Sequence, residues 1–137
     1  AVMDVINENK MKDRATIISL NYETISNVKK IDPEFLTAYC MFIADGDVTE
    51  AKQANDYSIE QSNITPEMVK RVHEEGRRIF AWTSNTEETV QYLVDLGVDG
   101  IATDNPIMME NALDRANYSG GLEKLLRMFG TWVTGGI

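Results

Sequence analysis

The feature that most constrains this chain is a repeating unit: a short apolar run, a polar turn, an amphipathic helix, and then the next short apolar run. Apolar runs at roughly 20-residue intervals, each followed by a helical stripe, are the mark of parallel βα units. The runs are Ala15–Leu20, Leu36–Ile43, Tyr57–Glu60 (the weakest), Arg78–Thr83 and Gly100–Thr103. They are short and apolar on both faces, as in strands covered by helices.

The stretches between them carry helix punctuation. Asn21 is placed to cap a helix running to about Lys30, with Ile25 and Val28 on its apolar face. Asp47 and Glu50 have capping-box spacing ahead of a short helix. Thr65-Pro66 starts a helix that Gly76 ends, and Asn85 with Glu88 starts another that ends at Gly97. Its buried stripe is Val90, Leu93 and Val94, and Pro106 opens the helix after the last run. A helix from Val2 to about Asn9 precedes the first run.

A (β/α)8 barrel takes eight such units and about 250 residues. This chain has 137 residues and about five units. It therefore reads either as an α/β partial TIM (β/α)8-type barrel, strands four to eight with the first three strands absent, or as a self-sufficient doubly wound sheet. Periodicity leaves both open.

Composition narrows the function classes. A formal net charge of -9 repels nucleic acid and anionic surfaces, which argues against nucleic-acid binding. No apolar run approaches the roughly 20 residues of a membrane-spanning helix. Cys40 is the single cysteine, so an intrachain disulfide and a multi-cysteine zinc site are excluded. Within Leu36-Thr37-Ala38-Tyr39-Cys40-Met41-Phe42 it reads as a buried, inert thiol in either redox compartment, and localisation stays unknown.

Two segments choose between the folds. Arg78-Ile79-Phe80-Ala81-Trp82-Thr83-Ser84-Asn85 is followed, after a helix, by Gly97-Val98-Asp99-Gly100-Ile101-Ala102-Thr103-Asp104-Asn105-Pro106. Together they resemble the end of the glycerophosphodiester phosphodiesterase barrel. That family has a Trp-Thr-x-Asn segment on its seventh strand and Gly-Val-Asp-Gly-Ile-x-Thr-Asp-x-Pro on its eighth. Upstream, Ile17-Ile18-Ser19-Leu20-Asn21 is similar to the Ser-Phe-Asp/Asn element of its fourth strand, with Leu20 in place of the usual Phe. Ile64-Thr65-Pro66-Glu67 and Val72-His73-Glu74-Glu75-Gly76 also fit. The match runs over roughly residues 1–116 in order and spacing.

The resemblance implies a parent enzyme that cleaves glycerophosphodiesters to glycerol 3-phosphate and an alcohol by displacement at phosphorus. A His pair serves such enzymes as acid and base. A Glu-x-Asp and a further Glu hold a divalent cation, calcium or magnesium. No His-Arg pair and no Glu-x-Asp with its following His-Asp occur in this chain. It is therefore expected to carry no catalytic residue and no metal ligand, and to be inactive alone.

Active sites of such barrels sit at the C-terminal ends of the strands. The substrate-binding candidates are Trp82, Glu60, Asp104, Asn85, Ser19 and Asn21. Trp82 serves either as an apolar cleft wall or as barrel packing. Asn21, Asn85 and Asp104 are also natural helix caps, Glu60 a solvated loop carboxylate, and Ser19 a small core residue. His73 lies in the last turn of its helix, away from the strand C-termini, and reads as structural. Asp45-Gly46-Asp47 reads as a turn rather than a cation loop.

Residues 1–118 are thus expected to form the C-terminal portion of the barrel. Residues 119–137 form a hinge at Ser119-Gly120-Gly121 and an amphipathic helix with Leu122, Leu125, Leu126 and Phe129 on one face. An incomplete barrel has open strand edges, which invite pairing with another chain. A non-catalytic α/β assembly module that dimerises through those edges, or through the C-terminal helix, is the alternative function.

Overall fold

The computed structural model describes residues 2–44 and 46–117. Five strands form one sheet: β1 (Ile17–Ser19), β2 (Thr37–Met41), β3 (Asp56–Glu60), β4 (Arg78–Trp82) and β5 (Gly100–Ile101). All pairings are parallel, and the spatial order is β1-β2-β3-β4-β5. The helices are α1 (Val2–Glu8), α2 (Tyr22–Ile31), α3 (Pro66–Glu74), α4 (Glu87–Leu96) and α5 (Pro106–Asn117). Among the described residues, the link from β2 to β3 holds a 3-10 turn, Val48–Glu50, where sequence suggested a short helix. Asp45 and the expected C-terminal hinge and helix lie outside the described residues.

The strand order decides between the two folds. A doubly wound sheet reverses direction at a switch point. Here the order follows the chain without reversal, so right-handed crossovers put the connecting helices α2, α3 and α4 on one side of the sheet. That is the wall of a barrel, and the doubly wound reading is set aside.

Strand alternation gives each face its character. On the helix side, Tyr57, Ile59, Ile79 and Ala81 are buried against Ile25 of α2, Val69 and Val72 of α3, and Leu93 of α4. Each large apolar side chain buried this way contributes about 1.5–3 kcal/mol. A smaller cluster of Met3, Val28 and Phe35 fastens α1 to α2.

The helix ends follow local chemistry. Asn21 caps α2 by accepting from the Glu23 N–H at 2.8 Å. Thr65 caps α3 ahead of Pro66. Gly97 ends α4 in the left-handed region at φ 81°, where a side chain would be strained.

The other face is concave. From the N-terminal to the C-terminal end, β3 presents Asp56, Ser58 and Glu60 to it, and β4 presents Arg78, Phe80 and Trp82 in register. Arg78 Nη2 donates to Asp56 Oδ2 at 2.5 Å. That carboxylate bond holds the guanidinium above its ordinary pKa. Cys40 stands beside Ser58 in register and is half-buried rather than buried, because the concave face is open. Burial still pushes its thiol pKa up, against a smaller downward pull from Ser58, consistent with an inert thiol.

Candidate functional site

The C-terminal rim of the sheet brings the sequence candidates into two groups. The first spans β2 to β4. Glu60 and Trp82 are register partners at the last positions of β3 and β4, so both side chains stand on the concave face. Phe42, just past β2, packs against Trp82 with ring centroids 6.0 Å apart. It is largely exposed, and together with Trp82 it makes an apolar wall.

Glu60 is not the free loop carboxylate considered from sequence. Its Oε2 accepts from the Ser62 N–H at 3.0 Å, from Asn63 Nδ2 at 2.9 Å and from the Ser62 hydroxyl. Asn63 Nδ2 also donates to the Phe42 carbonyl at 3.1 Å. One carboxylate oxygen therefore fixes the 3-10 turn Gln61–Asn63 and, through Asn63, the Phe42 backbone. Behind Trp82, the fully buried Ser84 donates to Gln61 Oε1. The Trp82 indole Nε1–H is buried and has no hydrogen-bond partner among the described residues. Such a donor costs about 1–3 kcal/mol unless something accepts from it.

The second group joins β4 to β5. Asn85 Oδ1 accepts from the Asp104 N–H at 2.9 Å and from the Thr103 hydroxyl at 3.1 Å. Asn85 Nδ2 donates to Asp104 Oδ2 at 2.9 Å. The amide is thereby committed to the next loop, and the capping assignments shift by one residue. Thr86, not Asn85, caps α4 by accepting from the Thr89 N–H. Asn105, not Asp104, accepts from the Met108 N–H at the start of α5. Likewise Asp47 bonds the Thr49 N–H rather than forming a box with Glu50.

Ser19 and Asn21 join neither group. Ser19 is in register with Tyr39, on the helix side, and its Oγ accepts from the Asn21 N–H at 3.1 Å. His73 is at the opposite end of the sheet. Its Nε2 meets Asp99 Oδ2 at 2.8 Å, and the same oxygen accepts from the Ile79 N–H.

Among the described residues, no three His, Cys, Asp or Glu side chains come together as a metal site. Glu60 and Asp104 belong to separate groups with their own partners, so these residues do not fit a divalent cation, which takes a shared shell of oxygens. Phe42, Asn63 and Ser84 escaped the sequence reading. Each lies within three residues of the end of a strand, which is the signal that could have found them.

Comparison with known proteins gives one family. The sequence model of the Glycerophosphoryl diester phosphodiesterase family matches residues 2–108. A glycerophosphodiester phosphodiesterase of Caldanaerobacter subterraneus is 28% identical over 113 residues, covering 80% of this chain and 46% of the relative. A crystal structure of a Silicibacter pomeroyi protein designated a glycerophosphoryl diester phosphodiesterase superposes with TM-score 0.78 at 25% identity, over 89% of this chain and 43% of that one. An Oleispira antarctica phosphodiesterase, solved with the product sn-glycerol-3-phosphate, shares the fold with TM-score 0.66 at 24% identity, over 72% of this chain and 41% of that one. The chain spans less than half the length of each of these proteins.

Proposed function

This chain belongs to the glycerophosphoryl diester phosphodiesterase family, and from that premise we propose that it supplies one wall of the substrate cleft of a metal-dependent glycerophosphodiester hydrolase. The reaction is displacement at phosphorus, which releases glycerol 3-phosphate and an alcohol such as choline or ethanolamine. In this reading the acid, the base and the carboxylates for calcium or magnesium come from strands one to three of the barrel, and the chain alone does not turn over. In this reading the barrel portion runs over residues 1–118.

The observation that supports this most directly is the adjacency of Glu60 and Trp82 on the concave rim, with Phe42 beside them. Trp82 and Phe42 form the apolar side of the cleft, and a substrate oxygen that displaces the groups covering it would accept from the Trp82 Nε1–H, which has no partner among the described residues. Glu60 adds negative charge where a cation would approach. Asp104, held by Asn85, borders the cleft on the β5 side. Ser19 and Asn21 contribute through the β1–α2 loop they order.

The test has two parts. Folded chain, verified by circular dichroism, is incubated with glycerophosphocholine and calcium or magnesium, and glycerol 3-phosphate release is measured. No release is expected. Turnover would overturn the division of labour and make Glu60, Asp104 and His73 candidates for the chemistry. Separately, glycerol 3-phosphate is titrated against 15N-labelled chain. A shift of the Trp82 indole resonance is expected, and its absence would remove Trp82 from the cleft.

The open edges support a second reading less directly. The β1 edge carries Ile18, which is 57% exposed, and a dimer that covers β1 and β5 would bury it. A strictly monomeric chain counts against that arrangement.

A further inference from the structure

Three neighbouring strands bring two aromatic rings and a carboxylate together at one corner of the concave rim. Met41 is level with Ile59, so Phe42, one residue on, comes level with Glu60, and Glu60 is level with Trp82. The backbones of β2 and β4 stand about 10 Å apart, two strand spacings. The Phe42 and Trp82 ring centroids are only 6.0 Å apart, so the rings lean toward each other across Glu60. Their planes are inclined at 51°, which makes an open V rather than a stack. Phe42 is 63% exposed, and the mouth of the V is within reach of solvent.

The carboxylate is held in place, but its charge is not neutralised. The Ser62 N–H and hydroxyl and the Asn63 amide all donate to Oε2, and all are uncharged. Among the described residues, no Lys, Arg or His pairs with Glu60. A divalent metal ion takes a shell of several oxygens, and a primary ammonium has three N–H groups to satisfy. The corner offers one carboxylate and two ring faces. A quaternary ammonium group has no N–H at all, and its methyl groups suit the rings. One such cation can lie within about 6 Å of both centroids, the range in which a ring face attracts it.

We propose that the Phe42–Glu60–Trp82 corner is a subsite for a quaternary ammonium group, and that it selects a choline-type alcohol over a neutral one. Placing that ammonium on the alcohol of a soluble glycerophosphodiester rests on the functional reading above.

The 15N-labelled chain is titrated with choline and, separately, with its neutral carbon isostere 3,3-dimethylbutanol, with folding checked by circular dichroism. The Trp82 indole resonance is assigned by its absence in Trp82→Phe. Choline is expected to shift it and to bind at least about threefold more tightly than the isostere, the size of a cation–π contact at an exposed site. Glu60→Gln keeps an acceptor for Ser62 and Asn63 and removes the charge, so choline should fall to the affinity of the isostere. Phe42→Leu, at an exposed position, should weaken choline and leave the isostere unchanged. Where Glu60→Gln fails to fold, the ratio of the two affinities in Phe42→Leu decides. Glu110→Gln takes the same charge from an exposed position on α5 and should change neither affinity.

Equal affinity for choline and the isostere would overturn the proposal and leave an apolar wall. Ethanolamine bound as tightly as choline would replace it with a site for charge alone. No shift with any of the three would overturn it outright, and the phosphodiesterase reading would stand on its own titration with glycerol 3-phosphate. Sedimentation of the chain with phosphatidylcholine vesicles would move the site from a soluble diester to a lipid headgroup. A choline shift without a glycerol 3-phosphate shift would uphold the cation subsite and defeat the reading of the corner as part of a phosphodiester cleft.

Discussion

The Phe80 ring lies over Gly100: a methyl group built on the glycine would sit 2.7 Å from Phe80 Cδ1. Only a residue without a side chain lets β5 pass this close beneath the ring. Gly100→Ala is expected to push the ring into the cavity it borders. Overpacking costs about 1–3 kcal/mol, and the open space beyond the ring keeps the cost near the low end. Urea unfolding gives the size, and combining the change with Phe80→Leu should recover most of the loss, because the two residues are in contact.

The Asp56–Arg78 pair closes the N-terminal end of the concave face. Asp56 is 4% exposed, and the Arg78 side chain is 38% exposed. Removing one partner of a buried pair costs about 3–5 kcal/mol. Solvent at the guanidinium brings the expected loss for Arg78→Met down to about 2–3 kcal/mol. Asp56→Asn with Arg78→Met should recover part of it. If Arg78→Met alone proved neutral, the pair would not stabilise the fold.

Acid should weaken the fold through three carboxylates. Asp32 is held below its ordinary 3.8 by the Lys12 ammonium, Asp47 below 3.8 by the Thr49 hydroxyl and N–H, and Glu75 below 4.5 by the Lys52 ammonium. A folded-state pKa below the unfolded one gives stability that is present above the unfolded value and lost as pH falls through the folded one. Urea midpoints should show no loss from these groups between about pH 7 and 5 and should fall below about pH 4. Lys12→Met and Lys52→Met should each shrink that fall. An acid limb unchanged by both would assign it to other groups.

The repeat was legible in the sequence because strand and helix leave different periods and because Asn21, Thr65-Pro66 and Gly97 act through their own backbone neighbourhood. The caps at α4 and α5 were misread by one residue for a tertiary reason. Both Asn85 and Thr86 are able to cap, and the choice falls to Thr86 because the β5 loop engages the Asn85 amide from 18 and 19 residues away. Curvature was equally hidden. A parallel βα repeat has one period whether the order of strands reverses or not, so the cavity that Ile18 of β1 and Gly100 of β5 line together emerges only when the strands are placed. The rim positions of Glu60, Trp82, Asn85 and Asp104 follow from the strand-end rule, whereas the contacts of Asn63 and Phe42 with Glu60 and Trp82 are set by packing.

The Asn85 staple can be broken without touching the core. Asn85→Ala removes three hydrogen bonds that join the loops after β4 and β5. All three are exposed, so water replaces them and the loss of stability should be about 1 kcal/mol. The local effect should be larger than the global one. Hydrogen exchange at the Asp104 amide should quicken by at least about tenfold, in keeping with local opening, while the Ile79 and Ala81 amides stay protected. Uniform acceleration across β4 would mean that the staple holds the sheet rather than the loop.

Trp82→Phe separates packing from ligand contact. Phenylalanine keeps an apolar ring beside Phe42 and removes the buried Nε1–H that has no partner. Deleting an unsatisfied donor recovers its desolvation cost, while the smaller ring gives up some packing. In the isolated chain these oppose each other, so the change should lie within about 1 kcal/mol of zero. In the complete enzyme proposed above the balance differs, because an oxygen of the substrate would then accept from the indole. Loss of that bond should lower kcat/KM by about tenfold, the equivalent of roughly 1.4 kcal/mol. Trp82→Phe that destabilises the isolated chain strongly and leaves kcat/KM unchanged would make Trp82 a packing residue and shift the apolar wall of the cleft to Phe42 alone.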